Sequence, residues 1–245
     1  MMQFGSSIFI YCCTEHMIQD DRVRGNNFTI PGTFSVAAGT NNCGTAIDWY
    51  RDNFYSELAA AAEKGGENVY EVMMRQVADI PIGSEGLITL PYLAGERTPI
   101  NDPEARGVVL GLRSYHTKNH IYHSLLEGIA FSAAQHIDIL KEHDISPLRI
   151  MASGGGTKND ILMKMVADIT GEAVHITKVT IGASYGDALM AGIGTGLFDG
   201  FEDLQRVIRF SAAIKPDLER HTAYQRYRRI YDQAYLANRE LMHSL

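Results

Sequence analysis

The chain has 245 residues, of which 45% are hydrophobic and 21% charged, with a formal net charge of −7. That balance fits a folded globular chain with one large core or two small ones, and excludes a disordered or membrane-embedded one. Basic residues are scattered, and the one cluster, Arg226, Arg228 and Arg229, sits among tyrosines on a terminal helix, so no basic groove for nucleic acid is expected.

Residues 1–4 and 8–13 read as two strands joined by a tight Gly5-Ser6-Ser7 turn. Cys12 and Cys13 are adjacent and point to opposite faces of a strand; with Cys43 they form no C-x-x-C pair. Free buried thiols in a reducing cytosol are therefore expected, with no disulfide framework. The apolar stretch 8–13 is too short to span a bilayer and no basic region precedes it, so a cytoplasmic protein without membrane contact is expected. Further strands are predicted over 28–30 and 33–38, separated by Pro31-Gly32, before a small-residue loop over 39–44. Helices follow over 47–62 and 69–78, the first broken by Gly65-Gly66 and the second ended by Pro81 and Gly83. A strand over 87–93 leads into a polar loop over 95–107.

The longest helix is predicted over 119–142, where Ile121, Leu125, Ile129, Ala133, Ile137 and Leu140 recur at three- and four-residue steps and give one buried stripe. Strands are predicted over 148–152 and 173–177, and helices over 161–169, 183–192 and 223–243. An antiparallel first part followed by alternating strands and helices favours α/β layers with a mixed sheet.

Between the strand at 148–152 and the helix at 161–169 lies Ser153-Gly154-Gly155-Gly156-Thr157-Lys158-Asn159-Asp160. Glycines at such a junction let the backbone pass close to a ligand, and the following helix start offers free N–H groups. A nucleotide clamp and an ordinary flexible turn share this composition. His116, His120 and His123 have helix-like spacing, but no cysteine or carboxylate completes a tetrahedral set, so no metal site is expected. Gly192-Ile193-Gly194-Thr195-Gly196 follows a helix instead of opening one and reads as a helix end. No Gly-x-Ser-x-Gly elbow supports a hydrolase.

Four segments occur in one order: Phe4-Gly5-Ser6-Ser7; Leu90-Pro91-Tyr92-Leu93-Ala94-Gly95-Glu96-Arg97-Thr98-Pro99 with Asp102-Pro103-Glu104-Ala105-Arg106-Gly107; Val108-Val109-Leu110-Gly111-Leu112 with His120 to Glu127; and the glycine run with Gly182-Ala183-Ser184-Tyr185-Gly186-Asp187-Ala188. Together they resemble the C-terminal lobe of the FGGY family of carbohydrate kinases, over nearly the whole chain and nearest to xylulokinase-like members. The resemblance implies a ribonuclease-H-like lobe of the actin and sugar-kinase type over residues 1–245, a mixed sheet flanked by helices. It implies ATP with Mg²⁺, the phosphates touched by Gly5, Ser6 and Ser7. It places the adenosine loop at Gly154, Gly155 and Gly156, with Asn159 near adenine, and Glu96, Arg97 and Thr98 in a loop facing the cleft.

The resemblance also implies a general-base aspartate shortly before the phosphate hairpin, and none precedes it here, since the first acidic residue is Glu15. No catalytic residue is therefore expected in this chain. It is expected to be the ATP-binding half of a two-lobed sugar or polyol kinase, inactive alone, with its own N-terminal lobe as partner and a homodimer left open. The alternative is a non-catalytic actin-like nucleotide-binding module that works through partner contacts.

Overall fold

The computed structural model describes residues 1–146, 149–179 and 182–245. Leu148, where a strand was expected to begin, lies outside them. One six-stranded sheet has the order β3-β4-β2-β1-β7-β8. β1 (Met2–Phe4) and β2 (Ile8–Thr14) form the expected hairpin, and β4 (Phe34–Thr40) and β3 (Arg24–Asn27) extend it antiparallel. On the other side of β1, β7 (Ile150–Ser153) and β8 (Val174–Ile176) run parallel to it and to each other. The register of Met2 with Ala152 and Gln3 with Ser153 makes β1 and β7 end side by side. The Gly5–Ser7 turn and the glycine run are therefore neighbours, about 150 residues apart in sequence but adjacent at the ends of two central strands.

Three expected elements differ. The strand placed at 28–30 is irregular, and β3 lies just before it, because its partner β4 pairs Phe34 with Asn27 and leaves the Pro31-Gly32 turn outside the ladder. The helix placed at 47–62 is two, α1 (Gly44–Phe54) and α2 (Ser56–Gly65), broken at Tyr55, whose hydroxyl is drawn inward to Asn119 at 2.5 Å. The strand placed at 87–93 shrinks to β5 (Ile88–Leu90), which leaves the main sheet and pairs with β6 (Val108–Leu110). α3 (Val69–Val77) stands near its expected place. Of the thiols expected to be buried, only Cys43 is; Cys12 is half-buried and Cys13 is exposed on the solvent side of β2.

α4 (Lys118–Glu142) carries more than one stripe: every residue from Tyr122 to Ala134 is buried. Its apolar residues join Phe4, Ile8 and Val36 of the sheet and Leu162, Met163 and Val166 of α5 (Asp160–Thr170) in one core. α7 (Leu218–His243) contributes Tyr224 and Tyr231, while α6 (Ala183–Gly194) is more exposed. Several buried polar residues of α4 are paired, as burial requires. Glu127 accepts from the Gly83 N–H at 2.7 Å and from the Ser84 hydroxyl at 2.8 Å, and Ser84 also meets His123 Nδ1 at 2.7 Å. His123 thus anchors a turn, and His120 joins the capping box with Thr117 at the α4 start.

This network generates a stability prediction. Glu127→Leu strands the Gly83 N–H in the interior, leaves the Ser84 hydroxyl with His123 alone, and should destabilise the fold by about 2–4 kcal/mol. Urea unfolding at neutral pH measures it; an unchanged midpoint would show that the network carries no stability.

Candidate functional site

The Gly5–Ser7 turn is held from outside by the start of α1. Cys43 precedes that helix without a side-chain cap. Its first N–H groups instead donate to the hairpin: Cys43 and Thr45 to the Ser6 carbonyl at 3.1 Å each, and Gly44 to the Gly5 carbonyl at 3.0 Å. The Thr45 hydroxyl adds a bond to Ser6 O at 2.9 Å. Helix N–H groups that would otherwise lack partners thus fix the turn. The close approach requires Gly44, since a Cβ there would lie 2.7 Å from the Gly5 carbonyl oxygen. Ser6 is exposed, and neither it nor Ser7 spends its hydroxyl on another described residue.

The three glycines of the run have separate jobs. Gly154 has φ +93°, and a Cβ there would stand 2.4 Å from the Phe4 carbonyl oxygen. At Gly156 it would stand 2.8 Å from the Phe4 Cβ. Both glycines exist to let the loop lie against β1. At Gly155 a Cβ would meet nothing within 4 Å. A short 3₁₀ turn over Gly155–Lys158 follows, tied by the Thr157 hydroxyl to Gly154 O at 2.7 Å. Asn159 then caps α5, its side-chain oxygen accepting from the Leu162 N–H at 2.9 Å. That oxygen thus serves as the cap of the helix.

Between these parts lies a cavity of about 670 Å³. Gly5, Ser6, Gly155, Gly156, Lys158 and Asn159 line one wall. Ser7 and Gly154 do not line it. The other wall is Gly44, Ile47 and Asp48 from α1 with Asn68, Tyr70, Glu71 and Met74 around the start of α3. Sequence reasoning missed that second wall. Its one local signal is Asn68, which caps α3 by accepting from the Tyr70 N–H at 3.0 Å. Asp48 ties the two helices by accepting from Tyr70 at 2.5 Å and from Arg51 at 3.1 Å, and Arg51 also donates to the Tyr70 hydroxyl.

The loop after β5 was expected to face a cleft. Arg97 is exposed, but Glu96 and Thr98 are buried. One Glu96 oxygen accepts from the backbone of Asn41 at 2.9 Å and of Arg97 at 2.7 Å, while the other is buried without a partner. Burial pushes the Glu96 carboxyl up to about 7, against the two N–H groups, the nearby Asn42 side chain and the Arg97 guanidinium, which favour the charged form. Among the described residues no group of His, Cys, Asp and Glu is arranged to hold a metal ion, and no helix is long and apolar enough to cross a membrane.

The sequence pattern of the FGGY family of carbohydrate kinases, C-terminal domain, matches residues 1–195. The chain belongs to this family. It is 30% identical over 210 residues to the xylulose kinase of Bacillus subtilis (strain 168), a match that covers 85% of the chain and 40% of the relative. It is 30% identical over 174 residues to the gluconokinase of the same organism, covering 71% of the chain and 34% of the relative. Its fold matches the crystal structure of xylulose kinase from Rhodospirillum rubrum with a TM-score of 0.85 and 27% identity, covering 99% of the chain and 47% of that protein. This FGGY chain thus spans less than half the length of the relatives it matches. The expected α/β fold of the sugar-kinase type, with its mixed sheet flanked by helices, is the one found.

Two predictions follow from the geometry of the site. In this FGGY domain Gly154→Ala should cost about 2–4 kcal/mol of stability, whereas Gly155→Val should stay within about 1 kcal/mol of wild type. Urea titration of both variants decides; equal costs would mean that the loop does not lie on β1 as described. Glu96 gives a pH signature. Its folded value of about 7 stands above the ordinary 4.5, so its penalty is absent below about pH 4.5, grows between the two values and is complete above about 7. The melting temperature of wild type relative to Glu96→Gln should therefore fall as pH rises from 5 to 8. A constant difference would show that Glu96 keeps an ordinary carboxyl.

Proposed function

We propose that this FGGY domain supplies the nucleotide-binding half of a two-lobed kinase that moves the γ-phosphoryl of ATP to a hydroxyl of a sugar or polyol. The observation that carries the reading is the open face of Gly155 on a cavity that the Ser6 turn also enters, in a chain of this family. The donor set suits a nucleotide. Ile47, Tyr70 and Met74 offer an apolar surface for a base, and Ser6 and Lys158 offer a hydroxyl and an ammonium for phosphates. Asp48 and Glu71 on the α1–α3 wall carry negative charge, which supports phosphates at the hairpin wall and the base at the helical one.

Phosphoryl transfer is mostly positioning and charge neutralisation. ATP brings the transferable group and, with Mg²⁺, an electrophilic phosphorus. The chain's share is to hold the phosphates at the Ser6 turn and the adenosine between Gly155 and the α1–α3 wall. The proton of the attacking hydroxyl goes to an aspartate in a lobe outside this chain, which also carries most sugar contacts. Xylulose kinases and gluconokinases both stand among the relatives, so the acceptor is a sugar of that class, a xylulose-like ketose being the first to test.

The isolated chain should bind ADP with a Kd on the order of 0.1–1 mM, lose it in Gly155→Val, and release no ADP in response to any sugar. Sugar-dependent ADP release by the purified chain would refute the placement of the base in another lobe. In a protein that contains both lobes, Ser6→Ala should lower kcat by about 5- to 150-fold, and Ser7→Ala, outside the cavity, should leave it within about twofold. A sugar panel read by ADP release with that protein tests the reaction itself. Turnover of no sugar would favour a non-catalytic nucleotide-binding module.

A further inference from the structure

We propose that Glu96 is a positioning residue for the phosphate turn: it holds the segment 41–45, whose N–H groups hold the Gly5 and Ser6 carbonyls. The inference rests on the reading of that turn as the place where nucleotide phosphates lie. The contacts form an unbroken series. One carboxylate oxygen of Glu96 accepts the Asn41 N–H at 2.9 Å. The Asn41 side chain donates to Ala94 O at 3.0 Å, and Asn42 both donates to Gly95 O at 2.8 Å and accepts from Ala94 N at 3.1 Å. The loop over 94–97 is thereby clamped to the end of β4. The next three residues, Cys43, Gly44 and Thr45, are those that grip the hairpin. With one residue between Asn41 and Cys43, a shift at the carboxylate has no flexible segment in which to dissipate.

The unpartnered second oxygen of Glu96 is the independent observation. The residue is 3% exposed and that oxygen has no hydrogen bond. Such a group is costly, and a neutral side chain would serve as mere scaffold at lower cost. What the carboxylate adds is a charge-assisted acceptor for the Asn41 N–H, stronger than a neutral one. Its ionisation then sets how firmly the segment is held.

Titratable and charged groups from several elements pack around Glu96. Arg97 beside it spends its guanidinium on Thr40 O at 2.9 Å. Tyr92 from the segment after β5 and Tyr231 from α7 are pushed far up by burial, and both stay neutral. His136 from α4, facing Arg97, is pushed down to about 4 by burial. Asp102, whose backbone pairs with that of Glu96, is held below the carboxylate range by His243 and Tyr235 in spite of its burial.

The test uses the ¹⁵N-labelled chain, with the amide resonances of Ser6, Gly44 and Thr45 followed from pH 5.5 to 8.5 without nucleotide. Wild type should show a common inflection near pH 7 and Glu96→Gln none. Ligand-observed NMR with ADP and with adenosine then separates phosphate from base. Glu96→Ala should bind ADP about tenfold more weakly, the equivalent of one hydrogen bond, with adenosine unchanged. Absence of the wild-type inflection overturns the proposal, as does a Glu96→Ala protein that binds ADP like wild type. If Glu96→Ala does not fold, the wild-type titration still decides. Wild type that binds neither ADP nor adenosine overturns the nucleotide reading, and this proposal with it.

Discussion

The site depends on one interaction between backbones: the first N–H groups of α1 donate to the carbonyls of Gly5 and Ser6. A two-stranded turn of three residues has no rigidity of its own. Here it acts as the cap of a helix, so turn and helix stabilise each other. The helix has no side-chain cap because the hairpin supplies the acceptors. Since α1 also forms a wall of the cavity, one set of hydrogen bonds fixes the spacing between the turn and the opposite face.

The sheet provides the second constraint. Parallel pairing of β1 with β7 brings the turn and the glycine run out at adjacent strand ends. Gly154 and Gly156 then let the run lie directly on Phe4, and this contact is what leaves Gly155 free to face the cavity. Substrate-binding backbone at the ends of strands, backed by a buried sheet, is a common way to keep a loop both accessible and fixed. Beneath these strand ends α4 fills the interior, and its buried Glu127 is tolerated because the turn at Ser84 supplies partners.

Much of this was legible in the sequence. The hairpin over 2–14, the long helix and the glycine run each rest on local patterns that the tertiary structure keeps. What was not legible was set by distant partners. The break at Tyr55 follows from a hydroxyl that reaches α4, and nothing near residue 55 in the chain announces it. β5 left the main sheet because its partner lies 20 residues on, in β6. The three glycines look alike in sequence, yet only their contacts with Phe4 separate two structural positions from one that faces the cavity. Ser6 and Ser7 are likewise equivalent as letters, and the geometry turns only Ser6 to the cavity. The α1–α3 wall carries no motif, because an apolar surface such as Ile47, Tyr70 and Met74 needs shape and burial, not a fixed spacing.

The proposed nucleotide site is one cavity, between the Ser6 turn with Gly155 and the α1–α3 face. Amide chemical-shift mapping of the ¹⁵N-labelled chain during an ADP titration tests it most directly. Shifts should concentrate at Gly5, Ser6 and residues 155–159 on one wall and at Ile47, Asp48 and Tyr70 on the other. Shifts confined to the separate cavity lined by Gln3, Phe9, Tyr185 and Leu189, or no shifts at millimolar ADP, would contradict it.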